Sequence, residues 1–372
     1  MRSRGSFAKS GASLLCIAGC MSSALLAEPA TTSDTDVTSA AVRPGEGLEV
    51  AIRLADELVS FFPIADQAQA YAARLRANAA AGRYDGGTRG SLAQLLTADL
   101  MAVHKDGHLK VFATDEAEQN APPSPPKDLP PPIQSAKWIA PGIAYIRPSA
   151  FLQKDDEIQA FRTFMEEHRS ARTIIFDLRN DHGGGNAEAD VVFSYLFSRK
   201  TPLTRLEMSR ATFDQSGWPF PVTDTLEVTK TESKVIGTRY ALPGAPTPLR
   251  SAKVLVLVSD VTASAAEGFA VALQSTGRAT LIGEATAGAD HFGGPRPINA
   301  DFSVFMPIGR TYDVKSGRDW EGVGVQPDVA VDPKQALVVA LQMAGINHGQ
   351  AVRLDAQEVP AQPVHKAKLA AR

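Results

Sequence analysis

The chain has 372 residues, is 44% hydrophobic and 21% charged, and carries a formal charge of −3. That is enough apolar sequence for a sizeable buried core, and with no basic run it is poorly suited to a nucleic-acid backbone. The two cysteines, Cys16 and Cys20, both lie near the N-terminus, so the body of the protein has neither a disulfide framework nor a cysteine nucleophile.

Arg2, Arg4 and Lys9 precede an uncharged, small and apolar stretch from Gly11 to Ala27. Residues 1–27 therefore read as a secretory signal rather than a permanent membrane span. Two endings compete. Ile17-Ala-Gly-Cys20 has the form of a bacterial lipobox, which makes Cys20 a lipidated N-terminus and membrane tether. The alternative is ordinary cleavage after Ala27, where Leu25 is a poor match to Ala-x-Ala. Either ending exports the protein to the bacterial periplasm or cell envelope. Loss of the three leader cations takes the formal charge from −3 to −6, which gives no attraction to an anionic membrane surface.

Residues 28–47 are polar and rich in Thr, Ser and Ala, the composition of a flexible tether. A helical domain is expected over 48–118. Val50, Leu54, Leu58 and Phe61-Phe62 recur at helical spacing, and Pro63 and the Gly82–Gly90 region divide the segment into about three helices. The Pro-rich stretch 119–134 predicts a stiff linker with polyproline II character. An αβ core follows over 135–349. Its strand candidates are Ile143–Ile146, Thr173–Asp177, Val254–Ser259, Thr280–Ile282 and Phe302–Pro307. Its helix candidates are Asp155–Arg169, Ala187–Phe197 and Ala263–Ser275. Residues 200–250, with Thr, Pro and short apolar alternations, are expected to form an insertion over a cleft. Residues 350–372 are expected to be a disordered tail. There is no internal repeat, and no PDZ domain is apparent between the helices and the core.

Val254 to Val258 is a continuous apolar run, the pattern of a strand buried on both faces. A short turn and an alanine-rich amphipathic stretch follow, so Ser264 falls where a strand hands over to a helix N-terminus. One reading makes Ser264 a helix cap. The other makes it a nucleophile, its oxyanion held by free N–H groups such as that of Ala265 and by the helix dipole. Thr173 to Asp177 is a second apolar strand, ending in a charged corner and three glycines, Gly183 to Gly185. Loops at the carboxyl ends of neighbouring parallel strands converge on one crevice. Gly183 and Gly184 are therefore expected as oxyanion-hole donors beside Ser264.

Four ordered segments carry a family resemblance: Asp177-Leu-Arg-Asn-Asp-His-Gly-Gly184, Thr262-Ala-Ser-Ala-Ala-Glu267, Arg278-Ala-Thr-Leu-Ile-Gly-Glu-Ala-Thr-Ala-Gly288 and Trp320-Glu-Gly-Val-Gly-Val-Gln-Pro-Asp328. Over roughly residues 45 to 345 the chain resembles the tail-specific, or C-terminal processing, serine peptidases of family S41. The resemblance implies an α/β fold with a crotonase-like ββα catalytic core behind an N-terminal helical bundle. One branch of the family uses a Ser–Lys dyad, but Ala289 stands where its lysine belongs. The Thr-Ala-Gly and Trp-Glu-Gly-Val-Gly-Val patterns are more similar to the branch of tricorn protease and the interphotoreceptor retinoid-binding protein, which pairs serine with histidine and glutamate.

The resemblance assigns the base to His108, in Asp106-Gly-His-Leu109, with His104 as its rival. It assigns the supporting carboxylate to Glu321 and leaves His182 and His291 as spectators or substrate contacts. Tricorn protease has a serine before its histidine where this chain has Gly107, so Asp106 is a further contributor to weigh. Glu267 is expected to make a capping-box contact with the Ser264 backbone. No His-Glu-x-x-His, Walker loop or Cys-x-x-Cys is present, so no metal and no cofactor are expected. The leading function is serine-type hydrolysis of peptide bonds in peptide or protein substrates. The alternative is a non-catalytic binding module of the same fold, holding a lipid-like or peptide ligand, and a third is a lipid-anchored scaffold.

Overall fold

A computed structural model describes residues 40–113 and 131–358. The leader with Cys20, most of the tether, most of the Pro-rich linker and the chain beyond residue 358 lie outside the described residues.

Helices α1 (Glu46–Phe61), α2 (Ala65–Ala80) and α3 (Arg89–Met101) form an N-terminal layer. Helix α1 buries Val50, Leu54 and Leu58, one side chain per turn. Helix α3 begins at Thr88, whose hydroxyl accepts the Ser91 N–H at 3.2 Å.

The central sheet is built from β2 (Ile133–Ala140), β3 (Ile143–Pro148), β4 (Thr173–Asp177), β8 (Lys253–Val258), β9 (Thr280–Gly283) and β12 (Val329–Ala330), in the spatial order β12-β9-β8-β4-β3-β2. All neighbours are parallel except β2 and β3. Both faces are covered, which explains the unbroken apolar runs. Ile174, Phe176, Val254 and Val256 pack under α4 (Asp155–Glu167), α5 (Ala187–Leu196) and α7 (Ala265–Ser275). Ile175, Leu255 and Leu257 pack under α8 (Pro333–Met343) and α9 (His348–Ala356).

The second sheet is antiparallel. It contains β1 (Lys110–Ala113), β5 (Thr201–Ser209), β6 (Leu226–Lys230), β7 (Lys234–Ala241), β10 (His291–Pro297) and β11 (Phe302–Asp313), ordered β1-β11-β5-β7-β6 with β10 also on β11. Phe302, Val304 and Met306 of β11 share a core with the N-terminal helices. Residues 200–250 therefore do more than cover a cleft: β5, β6, β7 and the short helix α6 (Arg210–Ser216) are built into this sheet through the pairing of β5 with β11. The expectation of disorder from residue 350 is also corrected. Helix α9 runs to Ala356, starts at the cap Asn347 and buries Ala351. Its few apolar residues hid it, because it needs only Ala351 and Leu354 against the α8 side of the core.

Candidate active site

Strands β4 and β8 are neighbours, with Asp177 opposite Leu257, so the loops leaving their carboxyl ends meet. Short polar side chains latch the two loops together. Ser259 Oγ donates to the Arg179 carbonyl at 2.6 Å, Thr262 Oγ1 to the Leu178 carbonyl at 2.8 Å, and Ala263 N to the Asp181 carbonyl at 3.1 Å. The Asp-Leu-Arg corner underneath is a structural tie. Asp177 accepts from Tyr145 Oη at 2.7 Å and from both ends of the Arg179 guanidinium, which also donates to the Pro333 carbonyl at 2.7 Å. Burial opposes the Asp177 charge, but Arg179, Arg147 and the Tyr145 hydroxyl hold its pKa down to about 2.

Ser264 ends the turn with φ 54° and ψ −121°. A non-glycine residue at positive φ costs about 1–3 kcal/mol and persists only where its surroundings impose it. Here Glu267 imposes it, accepting the Ser264 N–H at 2.9 Å. Glu267 and Ser264 face each other as in a capping box, but the Glu267 N–H donates to the Ser264 carbonyl at 2.9 Å, and the Ser264 hydroxyl makes no hydrogen bond among the described residues. A serine held in a strained strand-to-helix turn, with its hydroxyl uncommitted, has the geometry of an exposed nucleophile.

The glycine loop lies directly on this turn. A Cβ on Gly183 would meet the Ala263 carbonyl oxygen at 2.4 Å, and one on Gly184 the Phe151 carbonyl oxygen at 2.1 Å. Both have positive φ, 84° and 134°. The two glycines are not equivalent. Gly183 N donates to Asp181 Oδ1 at 2.8 Å, so that N–H is spent. The N–H groups of Gly184 and Ala265 make no hydrogen bond among the described residues, and both residues line the same cavity as Ser264.

Two buried carboxylates organise the other wall. Glu267 accepts Thr286 Oγ1, Gly288 N at 2.8 Å and Ala289 N at 2.9 Å in addition to Ser264 N. Glu321 accepts Gly107 N at 2.6 Å, Asp290 N at 2.8 Å and His291 N at 3.0 Å. Gly107 is pressed against this loop: a Cβ there would lie 2.9 Å from the Ala289 Cβ. Asp106 Oδ1 accepts the N–H groups of His108 and Leu109, both at 2.9 Å, while Oδ2 meets His291 Nδ1 at 2.7 Å.

His108 is half-buried and stacks on Phe305 with ring centroids 5.4 Å apart. One of its ring nitrogens, an Asp106 oxygen and a Glu321 oxygen all lie within 4.8 Å of one another. His291 is buried in the Asp106 pair, 3.9 Å from Glu321 and edge-on to Phe62. His104 gives its carbonyl to Tyr71 Oη at 3.2 Å, and His182 is exposed. The structure thus gathers Glu321, Asp106, His108 and His291 into one cluster, anchored through the 286–291 loop to the Ser264 turn. Two groupings, Asp106–His108–Glu321 and Asp290–His291–Glu321, bring ligand-type atoms within 4.8 Å of one another. The Asp106 and Glu321 oxygens accept hydrogen bonds, while His291 Nε2 and Asp290 Oδ1 have no partner among the described residues.

The charges in this cluster are shifted by their surroundings. Burial works against the Asp106 carboxylate, but His291 and the His108 N–H hold it below its ordinary range. Burial works against the His291 cation, yet Asp106 and Glu321 leave it above the usual imidazole value. Burial and the Asp106 charge push Glu321 up to about 8, and burial pushes Asp290 up to about 7. His291 was the least legible member, since 185 residues separate it from Asp106 and no local motif marks the pairing.

Beside Ser264 lies a cavity of about 70 Å³. Phe193, Leu203, Leu206, Phe220 and Phe269 form its apolar wall, and Asp290 and His291 line it as well. Arg239 also lines it and is ion-paired with Asp190.

Comparison with known proteins agrees with this architecture. The profile of peptidase family S41 matches residues 142–331, just over half of the chain. A candidate peptidase from Parabacteroides merdae is similar in structure, with 18% identity, coverage of 84% of this chain and 96% of that one, and a TM-score of 0.54. The photosystem II D1 C-terminal processing protease aligns at 22% identity over 52% of this chain and 43% of its own, with a TM-score of 0.37. This chain therefore spans less than half of that protease. The tricorn protease aligns at 16% identity over 58% of this chain and 18% of its own, with a TM-score of 0.35. Among the described residues no helix is long and apolar enough to cross a membrane. With the family match and the two sheets that frame the Ser264 crevice, the chain belongs to peptidase family S41.

Proposed function

We propose that the protein is a serine-type peptidase acting on exported or periplasmic substrates through Ser264, His108 and Glu321. The observation that carries this reading is the Ser264 corner, where a strained serine with an uncommitted hydroxyl shares a cavity with two spare backbone N–H groups. Ser264 Oγ attacks the scissile carbonyl and His108 takes its proton. The N–H groups of Gly184 and Ala265 receive the oxyanion. His108 then protonates the leaving amine, and water releases the acyl group by the same route. Glu321 supports the histidine by holding its segment through the Gly107 N–H. His108 is chosen over His291 on the Asp106-Gly-His motif, its half-exposure and its nearness to Glu321. His291 lines the Ser264 cavity, but its ring is buried and its Nδ1 is engaged by Asp106. The signal segment and the Ile-Ala-Gly-Cys20 order favour an envelope location with a lipid tether at Cys20.

Labelling the folded protein with a fluorophosphonate near neutral pH tests the reading. Label on Ser264 that is lost in Ser264→Ala and strongly reduced in His108→Ala is the expected result. A folded protein that takes no label is instead a binding module that uses the apolar cavity for a ligand.

A further inference from the structure

Asp181 is fully buried two residues before Gly183, and its side chain is absent from the chemistry described above. Its Oδ1 accepts Gly183 N at 2.8 Å, and its carbonyl accepts Ala263 N at 3.1 Å from the residue before Ser264. Its own N–H donates to the Leu178 carbonyl at 3.0 Å. One residue therefore touches both halves of the oxyanion site. The far side of the glycine loop is fixed by Phe151, whose N–H donates to the Gly183 carbonyl at 2.9 Å and whose carbonyl accepts Gly185 N at 2.7 Å. Between these two anchors the Gly184 N–H has little freedom left.

We propose that Asp181 is a positioning residue of the oxyanion hole, clamping the glycine loop to the nucleophile turn so that the Gly184 and Ala265 N–H groups converge on one oxygen. The inference rests on the serine-peptidase reading, because it presumes an oxyanion at Ser264. By holding the Gly183 N–H, the carboxyl also decides which glycine donates.

The clamp works best without a charge. Asp181 Oδ2 is buried with no hydrogen-bond partner among the described residues, so an ionised carboxylate would keep a single N–H donor. The titratable groups on the surrounding elements are mostly acidic: Glu188 and Asp190 of α5, Asp260 of the turn and Glu267 of α7. The neighbouring Arg179 is committed to Asp177, and His182 is exposed. Burial, with a contribution from Glu188, pushes the Asp181 carboxyl up to about 8 against the pull of the Gly183 N–H. Ionisation would place a negative charge beside the developing oxyanion and oppose it.

The test compares Asp181→Leu with Asp181→Asn, which keeps an acceptor for Gly183 N but cannot ionise. Turnover of a peptide substrate is followed against pH. Amide hydrogen exchange across the 180–186 loop is followed separately. In Asp181→Leu, kcat should fall by about 100-fold or more, the scale of losing an oxyanion donor, with KM altered by less than about threefold. Loop exchange should become faster. Asp181→Asn should keep most of the parental kcat and lose the fall in activity on the alkaline side. Parental kcat in Asp181→Leu, or an unchanged alkaline limb in Asp181→Asn, overturns the proposal. If Asp181→Leu does not fold, the Asp181→Asn profile decides alone. If the parent neither labels at Ser264 nor turns over peptide, the peptidase reading fails. In that case unchanged loop exchange in both variants rejects the clamp, and faster exchange in a folded Asp181→Leu retains it.

Discussion

Glu267 and Glu321 hold one loop from its two ends. Glu267 takes the N–H groups of Gly288 and Ala289, and Glu321 takes those of Asp290 and His291. The same two carboxylates take Ser264 N and Gly107 N. The separation between the nucleophile and the His108 segment is thereby set by a short stretch of backbone pinned on both sides.

Removing one pin should be costly. In Glu267→Gln an amide NH2 replaces one acceptor oxygen among donors that all need acceptors, so at least one buried N–H is orphaned. A loss of about 3 kcal/mol is expected, with a matching fall in fluorophosphonate labelling as Ser264 loses its imposed geometry. Glu57→Gln breaks a partly exposed pair with Arg296 and should cost no more than about 1 kcal/mol. Urea unfolding of both variants checks the contrast. Equal losses would show that the Glu267 bracket has no special weight.

The mature N-terminus gives a second prediction. If Cys20 is processed as the Ile-Ala-Gly-Cys order suggests, the purified protein should begin at a diacylated or triacylated Cys20 and partition with the membrane fraction. Each buried methylene of an acyl chain contributes about 0.8 kcal/mol, and more than one chain makes the tether stable. Intact-mass spectrometry distinguishes this from an unmodified N-terminus at Glu28, which would remove the lipid anchor and leave export standing.

The centre of the parallel sheet and the Ser264 corner were legible because β3, β4 and β8 are buried on both faces and rich in apolar residues, whereas the outer strands β2 and β12 are half-exposed and gave no such run. Of the antiparallel sheet only β11 was legible, over Phe302–Pro307. Strand β6 buries only Leu226, and β7 intersperses Lys234, Thr238 and Arg239 among its apolar residues, so half-exposed strands looked like a polar insertion. The Glu267 contact to the Ser264 N–H was readable from its spacing of three residues, but its hold on the Gly288 and Ala289 N–H groups was not, since those contacts are tertiary. Asp181-His-Gly183 carries a local signal of its own: an Asp two residues before a glycine makes a side-chain-to-backbone turn, and that turn separates Gly183 from Gly184 as donors.

Stability should decline from mildly acidic to mildly alkaline pH. Burial raises the carboxyls of Asp181 and Glu321 to about 8 and Asp290 to about 7, and it also raises Glu188. The unfolded chain loses these protons near pH 4, whereas the folded state keeps them. The stabilisation they confer is therefore complete below about pH 4 and is lost as pH rises towards the folded pKa values. Asp177, held at about 2, and the lowered Asp106 act in the opposite sense, but only on the acid side of that window. Melting temperature measured between pH 5 and pH 8 should fall in the parent and fall less steeply in Asp290→Asn. A flat or rising profile would sink this account.

The two histidines around Glu321 make the last prediction. His108 is half-buried and stacks on Phe305, so His108→Ala should leave the unfolding midpoint close to that of the parent. If His108 is the base, the same change should lower turnover by about 10²–10⁴-fold. His291→Ala strips the fully buried Asp106 of its ring partner, and breaking a buried pair from one side costs about 3–5 kcal/mol. Its first effect should therefore be on stability, with any loss of turnover following the loss of the Asp106 clamp on the His108 N–H. His104 contributes its carbonyl to Tyr71, which His104→Ala retains, so that variant should remain active. Glu321→Gln should lower turnover, because an amide NH2 among the Gly107, Asp290 and His291 N–H groups orphans a donor and loosens the loop beside His108. Turnover and unfolding measured on all four variants separate the roles. If His108→Ala keeps parental turnover while a folded His291→Ala loses it, the base is His291 and Asp106 is its orienting carboxylate.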